Sequence, residues 1–303
     1  MFHSRGLGQL SLGLLTLGLL VAPAAQAAGV VERVARSGEL RLIGPADRPP
    51  MITVNAQGQP EGFGIDIAER VAALLSEAVG RPVRLRFESV ADAAPLAQRL
   101  GEGAADLACG LPFTWARDLT VDFSVPIGIS GLRLLAPEGR FNGDPAGLAG
   151  RRIGVVRASL AETDLRGTQP SARLVPFNTL SAAVEALASG QVEGVVGDSV
   201  VLAGLAGQRG LQGLALTPEQ PYERYGVACA LPQNDSAFRD LVNRAIVGLQ
   251  QGYLQGEPAA VASVNRWLGP GSALELPPVV IRTVFEALLL GVEALRPVPP
   301  AAR

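Results

Sequence analysis

The sequence contains no lysine; its 26 basic residues are all arginine, set against 28 acidic ones. Basic runs are absent too, so the chain lacks the electrostatic footprint of a nucleic-acid binder. Histidine occurs once, at His3. The stretch around it reads as a removable leader, with Arg5 in a short polar start, an apolar run over residues 10–21, the breaker Pro23 and a small-x-small site at Ala25-Gln26-Ala27. Cleavage is expected before Ala28, which makes residues 1–27 a signal peptide and the mature protein periplasmic. The apolar run is short for a membrane anchor, and no cysteine near the site offers a lipid anchor. Loss of His3 excludes Ser-His-Asp and Cys-His nucleophile systems and every histidine metal ligand. Two cysteines, Cys109 and Cys229, are too few for a zinc cluster, so no metal or other cofactor is expected.

At 303 residues the chain exceeds one typical domain. Its 48% apolar content supplies sizeable cores, and 18% charge argues against disorder. From Gly38 onward strands and helices alternate. Residues 39–43 and 83–87 alternate as strands, while residues 65–78 place Ile65, Ala68, Val71, Ala72 and Leu75 on one helix face. Residues 91–100 read as a helix and 104–109 as a short apolar strand. This order predicts an α/β fold, a mostly parallel sheet flanked by helices.

The unit recurs downstream. Phe87-Glu88-Ser89, a helix and a Gly-x-x-acid turn at 103–106 are echoed by Phe177-Asn178-Thr179, a helix and the turn at 190–193. Two similar lobes are therefore expected, not one large sheet. Beyond Tyr225 come a strand, a helix over 236–250 and an amphipathic helix over 277–296. The last places Ile281, Val284, Phe285, Leu288, Val292 and Leu295 on one face, with Arg282, Glu286 and Glu293 opposite. It reads as a helix docked on the lobes, since the two glutamates interrupt any bilayer span.

The ordered series of these segments resembles the extracellular solute-binding proteins of family 3, which serve polar amino-acid ABC transporters. The resemblance runs from Gly38-Glu39-Leu40 through Arg48-Pro49-Pro50-Met51, the stretch from Glu61 to Ala68, and the segment 106–117. It continues through 121–126 and 148–155 to Gly194–Asp198, Tyr225 and the helix ending at Gly269. It implies two lobes joined by two hinge strands, with ligand held between them. Lobe one would hold residues 28–132 and 230–270 and lobe two residues 133–229, with 271–303 a C-terminal extension. Hinges would fall at 132–136 and 225–230. The family also implies a small amino-carboxylate ligand, a membrane permease as partner and a monomer.

An amino-acid ligand presents a carboxylate and an ammonium, and a dry cleft must pair both. In the family the arginine matching Arg117 clamps the carboxylate, as its two-pronged guanidinium suits, and the aspartate matching Asp198 takes the ammonium. Read without the family, Arg117 is a surface arginine and Asp198 a helix cap. Thr114 and Gly110 belong to the same ligand segment. Ser159 keeps one hydroxyl of a loop that is usually richer in them, and Pro112 stands where another is expected. Arg48 and Met51 occupy positions where the family usually stacks an aromatic ring. Arg48 faces either an anionic ligand side chain or solvent. Asp66 and Asp122 read as structural.

Cys109 and Cys229 would bridge if their Cα atoms came within about 7 Å. Both sit mid-strand, and two free buried thiols are the favoured reading. The function expected is solute capture without catalysis. Two alternatives keep the scaffold. One is an orphan sensor or accessory protein, like the extracellular group beside radical-SAM maturation systems for glycine-rich peptides in cyanobacteria. The other is a dehydratase of cyclohexadienyl acids, for which Glu162 and Glu61 are the available acids.

Overall fold

The computed structural model describes residues 29–90 and 93–292; the leader expected at 1–27 and Glu293 and Leu295 of the expected C-terminal helix lie outside them. The chain opens with α1 (Val30–Ser37), a helix absent from the sequence reading, closed by Gly38 in the left-handed region at φ 73°. Then come β1 (Glu39–Gly44) and three short strands, β2 (Asp47–Arg48), β3 (Ile52–Val54) and β4 (Pro60–Glu61), which form a sheet of their own. Strands of two and three residues are too short to show a period, so no pattern marks them in advance.

Helix α2 (Phe63–Val79) buries the expected face, from Ile65 to Leu75. After it β5 (Arg84–Ser89) pairs in parallel with β1. Next are α3 (Ala93–Gly101), β6 (Ala108–Pro112), the single turn α4 (Trp115–Asp118) and β7 (Asp122–Phe123). The strand expected from residue 104 starts at Ala108. The residues before it serve Asp106, whose buried carboxylate accepts hydrogen bonds from the guanidiniums of Arg33 and Arg41 and from the Arg41 backbone.

The chain crosses over along β8 (Gly128–Pro137). The repeat follows as β9 (Arg152–Val156), α5 (Leu160–Thr168), β10 (Arg173–Phe177), α6 (Leu180–Ala188), β11 (Gly194–Asp198) and α7 (Ser199–Gln208). β12 (Leu214–Thr217) and the returning strand β13 (Glu223–Leu231) lead back. β9, β10 and β11 are parallel, as strands joined by helical crossovers are. β8 pairs through its first half with β13 and through its second half with β11 and β12. β13 continues onto β6 and β7. One sheet, in the order β10-β9-β11-β8-β13-β6, therefore threads both lobes, and its two long strands are the crossings.

Among the described residues three apolar clusters hold this frame. The largest runs along β8 and β13 from one lobe into the other; the second packs α6 and α7 on β11, and the third packs α3 on β1 and β6. The outer helices are α8 (Ser236–Gln255), α9 (Pro258–Trp267) and α10 (Pro278–Leu289). Asp66 links α2 to α9, accepting from Ser263 Oγ at 2.7 Å and Trp267 Nε1 at 3.0 Å. Asp122 accepts from Arg239 at 3.1 Å. α10 packs against α8 and β8, burying Ile281 and Phe285, with the Phe285 ring edge-on to Tyr253 at 5.5 Å. No helix among the described residues is long and apolar enough to cross a membrane.

One expectation is corrected. Cys109 and Cys229 are not free thiols; they form a disulfide, with Cα atoms 3.9 Å apart. They lie directly opposite in the β6–β13 pairing, where the register slips by one residue beside them. The extra residue is Gly110, at φ 83°. A Cβ there would fall 2.8 Å from Met51 Cβ, so the bulge needs glycine on both counts. Two sequence segments reveal that each is a strand but not their register, and register decides the bond.

Candidate ligand-binding cleft

In doubly wound sheets, the ends of parallel strands feed helices whose N-termini point into the crevice beyond the sheet. Here a cavity of about 480 Å³ occupies that position between the lobes, within the range of small-molecule sites. Lobe one contributes Asp47 and Arg48 of β2, the end of β6 and Arg117 of α4. The crossing strands contribute Leu132 and Tyr225, and lobe two the starts of α5, α6 and α7. Across the cleft β2 packs on α6 and α7. Gly204 of α7 permits this approach, because a Cβ there would sit 2.7 Å from the Pro49 carbonyl oxygen.

Each lobe-two helix begins with a capping side chain at the cavity. Ser159 accepts from Glu162 N, Thr179 from Ala182 N, and Asp198 from Val200 N and Val201 N. Such starts leave N–H groups free of intrahelical partners and carry partial positive charge. Three of them meet at one site.

Asp198 is 6% exposed and heavily engaged. Its Oδ1 accepts from Ser130 Oγ at 2.8 Å and from Val200 N and Val201 N at 3.0 and 3.1 Å. Its Oδ2 accepts from the Tyr225 hydroxyl at 3.0 Å. A carboxylate oxygen offers about two lone-pair directions, so Oδ2 keeps one for a further donor. The aspartate is thus both a helix cap and a cavity wall. Burial pushes the Tyr225 phenol far up, and Asp198 adds to that, so the hydroxyl stays a donor at every ordinary pH.

Across the cavity Arg117 donates from Nη1 to the Pro112 carbonyl at 2.9 Å, which fixes the guanidinium along the wall. Burial lowers its pKa, and the neighbouring charge of Arg48 lowers it further. Arg48 is half-buried, and its Nε is buried with no hydrogen-bond partner.

Of the residues singled out by sequence, Arg48, Arg117, Ser159 and Asp198 come together around this cavity. Thr114, Gly110 and Met51 are not among the described residues that line it. Thr114 caps α4, accepting from Arg117 N, while Gly110 of β6 packs against Met51. Glu162 and Glu61 also lie off the lining: Glu162 accepts from Ala158 N and pairs with Arg166, and Glu61 pairs with Arg266. Sequence reasoning missed Asp47, Arg157, Asn178, Thr179 and the cavity-facing side of Tyr225. The Phe177-Asn178-Thr179 echo was visible, but its meaning, a helix cap at the crevice, needed the fold.

Residues 40–257 match the model of the bacterial extracellular solute-binding proteins, family 3. The chain is 26% identical over 192 residues to the ABC transporter glutamine-binding protein GlnH of Bacillus subtilis, covering 63% of this chain and 68% of that protein. Among solved structures it is similar to the solute receptor for L-cysteine of Neisseria gonorrhoeae, with TM-score 0.70 and 21% identity over 83% of this chain and 98% of the other. It is also similar to the ancestral amino acid-binding protein AncCDT-1, a precursor of cyclohexadienyl dehydratase. There the TM-score is 0.66 and identity 20%, over 80% of this chain and all of the other (100%). The two structural likenesses bear on the fold, and the family match covers well over half the sequence. The chain belongs to the bacterial extracellular solute-binding proteins, family 3.

Proposed function

We propose that this protein is a periplasmic receptor that closes on a small amino-acid-like ligand and delivers it, as a monomer and without chemical change, to the permease of an ABC transporter. The observation that carries the reading is the placement of Arg117 and Asp198. A guanidinium from one lobe and a carboxylate from the other face a single cavity. A zwitterion bridging them would bind the closed form better than the open one, which is what drives closure in a two-lobed hinge. Arg117, with Ser159 and the start of α5, would hold the α-carboxylate. Asp198 Oδ2 would accept the ammonium. Thr114, Gly110 and Met51 would support this wall from behind.

The test is a thermal-shift and calorimetric screen of ligand-stripped protein against amino acids and organic acids. At a hundredfold its Kd, a ligand adds about 2.7 kcal/mol of stability. A hit lost in both Arg117→Ala and Asp198→Ala supports the reading. Recovery of the ligand unchanged after long incubation supports capture over turnover, and loss of uptake in cells lacking the protein supports delivery. A folded protein that shifts with nothing in the panel sinks it.

A further inference from the structure

The cavity has more positive charge than one amino acid satisfies. Arg48, Arg117 and the exposed Arg157, which also feels the charge of Glu162, line it against two carboxylates, Asp47 and Asp198. Asp198 is already engaged by Ser130, Tyr225 and two α7 amides. Among the described residues, neither Arg48 nor Arg117 forms an ion pair with any carboxylate. The N-termini of α5 and α6 add to the positive field. A ligand with one carboxylate and one ammonium brings no net charge to this surplus.

Arg48 locates the surplus. It sits on β2, which packs on α6 and α7, so it closes the cavity from lobe one against the lobe-two helix starts. Its Nε is buried and unpartnered. A buried donor left unpaired costs free energy that a ligand acceptor recovers. The planar guanidinium suits a carboxylate that accepts from two of its N–H groups.

We propose that the ligand is an amino-dicarboxylate and that Arg48 binds its second carboxylate, making Arg48 the residue that selects acidic over neutral or cationic amino acids. The assignment rests on the amino-acid capture reading and adds the ligand's charge class to it. Asp47, next to Arg48, is the group that would instead favour a cationic side chain, so arginine belongs in the test.

The experiment is isothermal titration of the ligand-stripped protein with L-glutamate, L-aspartate, glutarate, L-glutamine, L-leucine and L-arginine, repeated on Arg48→Gln and Arg48→Lys. Glutamate or aspartate should bind at least about tenfold tighter than glutamine, the amide of the same shape. Arg48→Gln should abolish that preference by weakening the acidic ligand alone, and Arg48→Lys should restore part of it. Glutarate binding as tightly as glutamate would uphold Arg48 and overturn the ammonium role of Asp198. Tighter binding of glutamine, leucine or arginine would overturn the proposal while leaving amino-acid capture intact. Equal weakening of glutamate and glutamine by Arg48→Gln would also overturn it, since Arg48 would then share the α-carboxylate. Binding of none of the six by folded protein would overturn both.

Discussion

The Tyr225 hydroxyl on β13 donates to Asp198 Oδ2 at 3.0 Å, tying a crossing strand to the N-terminus of α7. The bond joins a strand that crosses between the lobes to the carboxylate proposed to meet ligand. Two substitutions separate its roles. Tyr225→Phe leaves a buried carboxylate oxygen short of a donor and should cost about 1–3 kcal/mol in urea unfolding. Asp198→Asn keeps a good helix cap through its remaining oxygen but turns Oδ2 into an NH2 donor, so it removes the charge and one acceptor while the Tyr225 hydroxyl rotates to accept. It should stay within about 1 kcal/mol of the parent in stability, yet weaken an ammonium-bearing ligand by about 10–100-fold in calorimetry. Unchanged affinity in Asp198→Asn would reduce this residue to a cap.

The disulfide is the second target. Cys109 and Cys229 close a loop with sequence separation 120. Replacing both by serine should lower unfolding stability by about 2–5 kcal/mol. Reductant should then destabilise the parent and leave the variant unaffected. If the parent, with its bond shown by thiol titration to be reduced, is no less stable, the bond contributes nothing to the folded protein.

Alkaline stability follows from composition and burial together. With no lysine and both cysteines bonded, tyrosine is the side chain left to titrate near pH 10. Tyr222, Tyr225 and Tyr253 are all shifted upward, burial being the largest cause in each, and Tyr222 reaches about 12. Unfolded phenols ionise near 10 and the native ones later, so above pH 10 the unfolded state binds fewer protons. Stability is then complete below pH 10 and falls as pH rises towards 12. Tyr222→Phe should remove about 1–2 kcal/mol of that fall, read as a flatter plot of urea midpoint against pH. An identical plot for the variant would mean that Tyr222 titrates alike in both states.

Helix α10 is the fourth target. Phe285 is 1% exposed and lies edge-on to Tyr253. Phe285→Ala should cost about 3–5 kcal/mol, whereas the same change at Leu290, 87% exposed, should cost under about 0.5 kcal/mol. Equal, small effects would mean that the helix does not stay docked in solution.

Long elements were legible because their apolar periods repeat: α2, α8, β1 and the repeat of lobe two were each evident from spacing. What escaped was whatever depends on contacts distant in sequence. The two-residue strand β2 carries no period, yet it brings Arg48 to the cleft. Asp198 could be read as cap or as ligand contact, and the fold makes it both a cap and part of the cavity wall. Tyr225 looked like a hinge residue alone, because nothing in the sequence says which side of a crossing strand meets a buried carboxylate.

The bond between Cys109 and Cys229 also has a mechanical consequence. Tension applied at the two ends of the chain passes from Cys109 directly to Cys229 and bypasses the residues between them, which include β8 through β12. Lobe two hangs from the load path as a closed ring, hiding on the order of 400 Å of contour length until the bond is reduced. A single backbone cut anywhere in that ring would leave the molecule in one covalent piece.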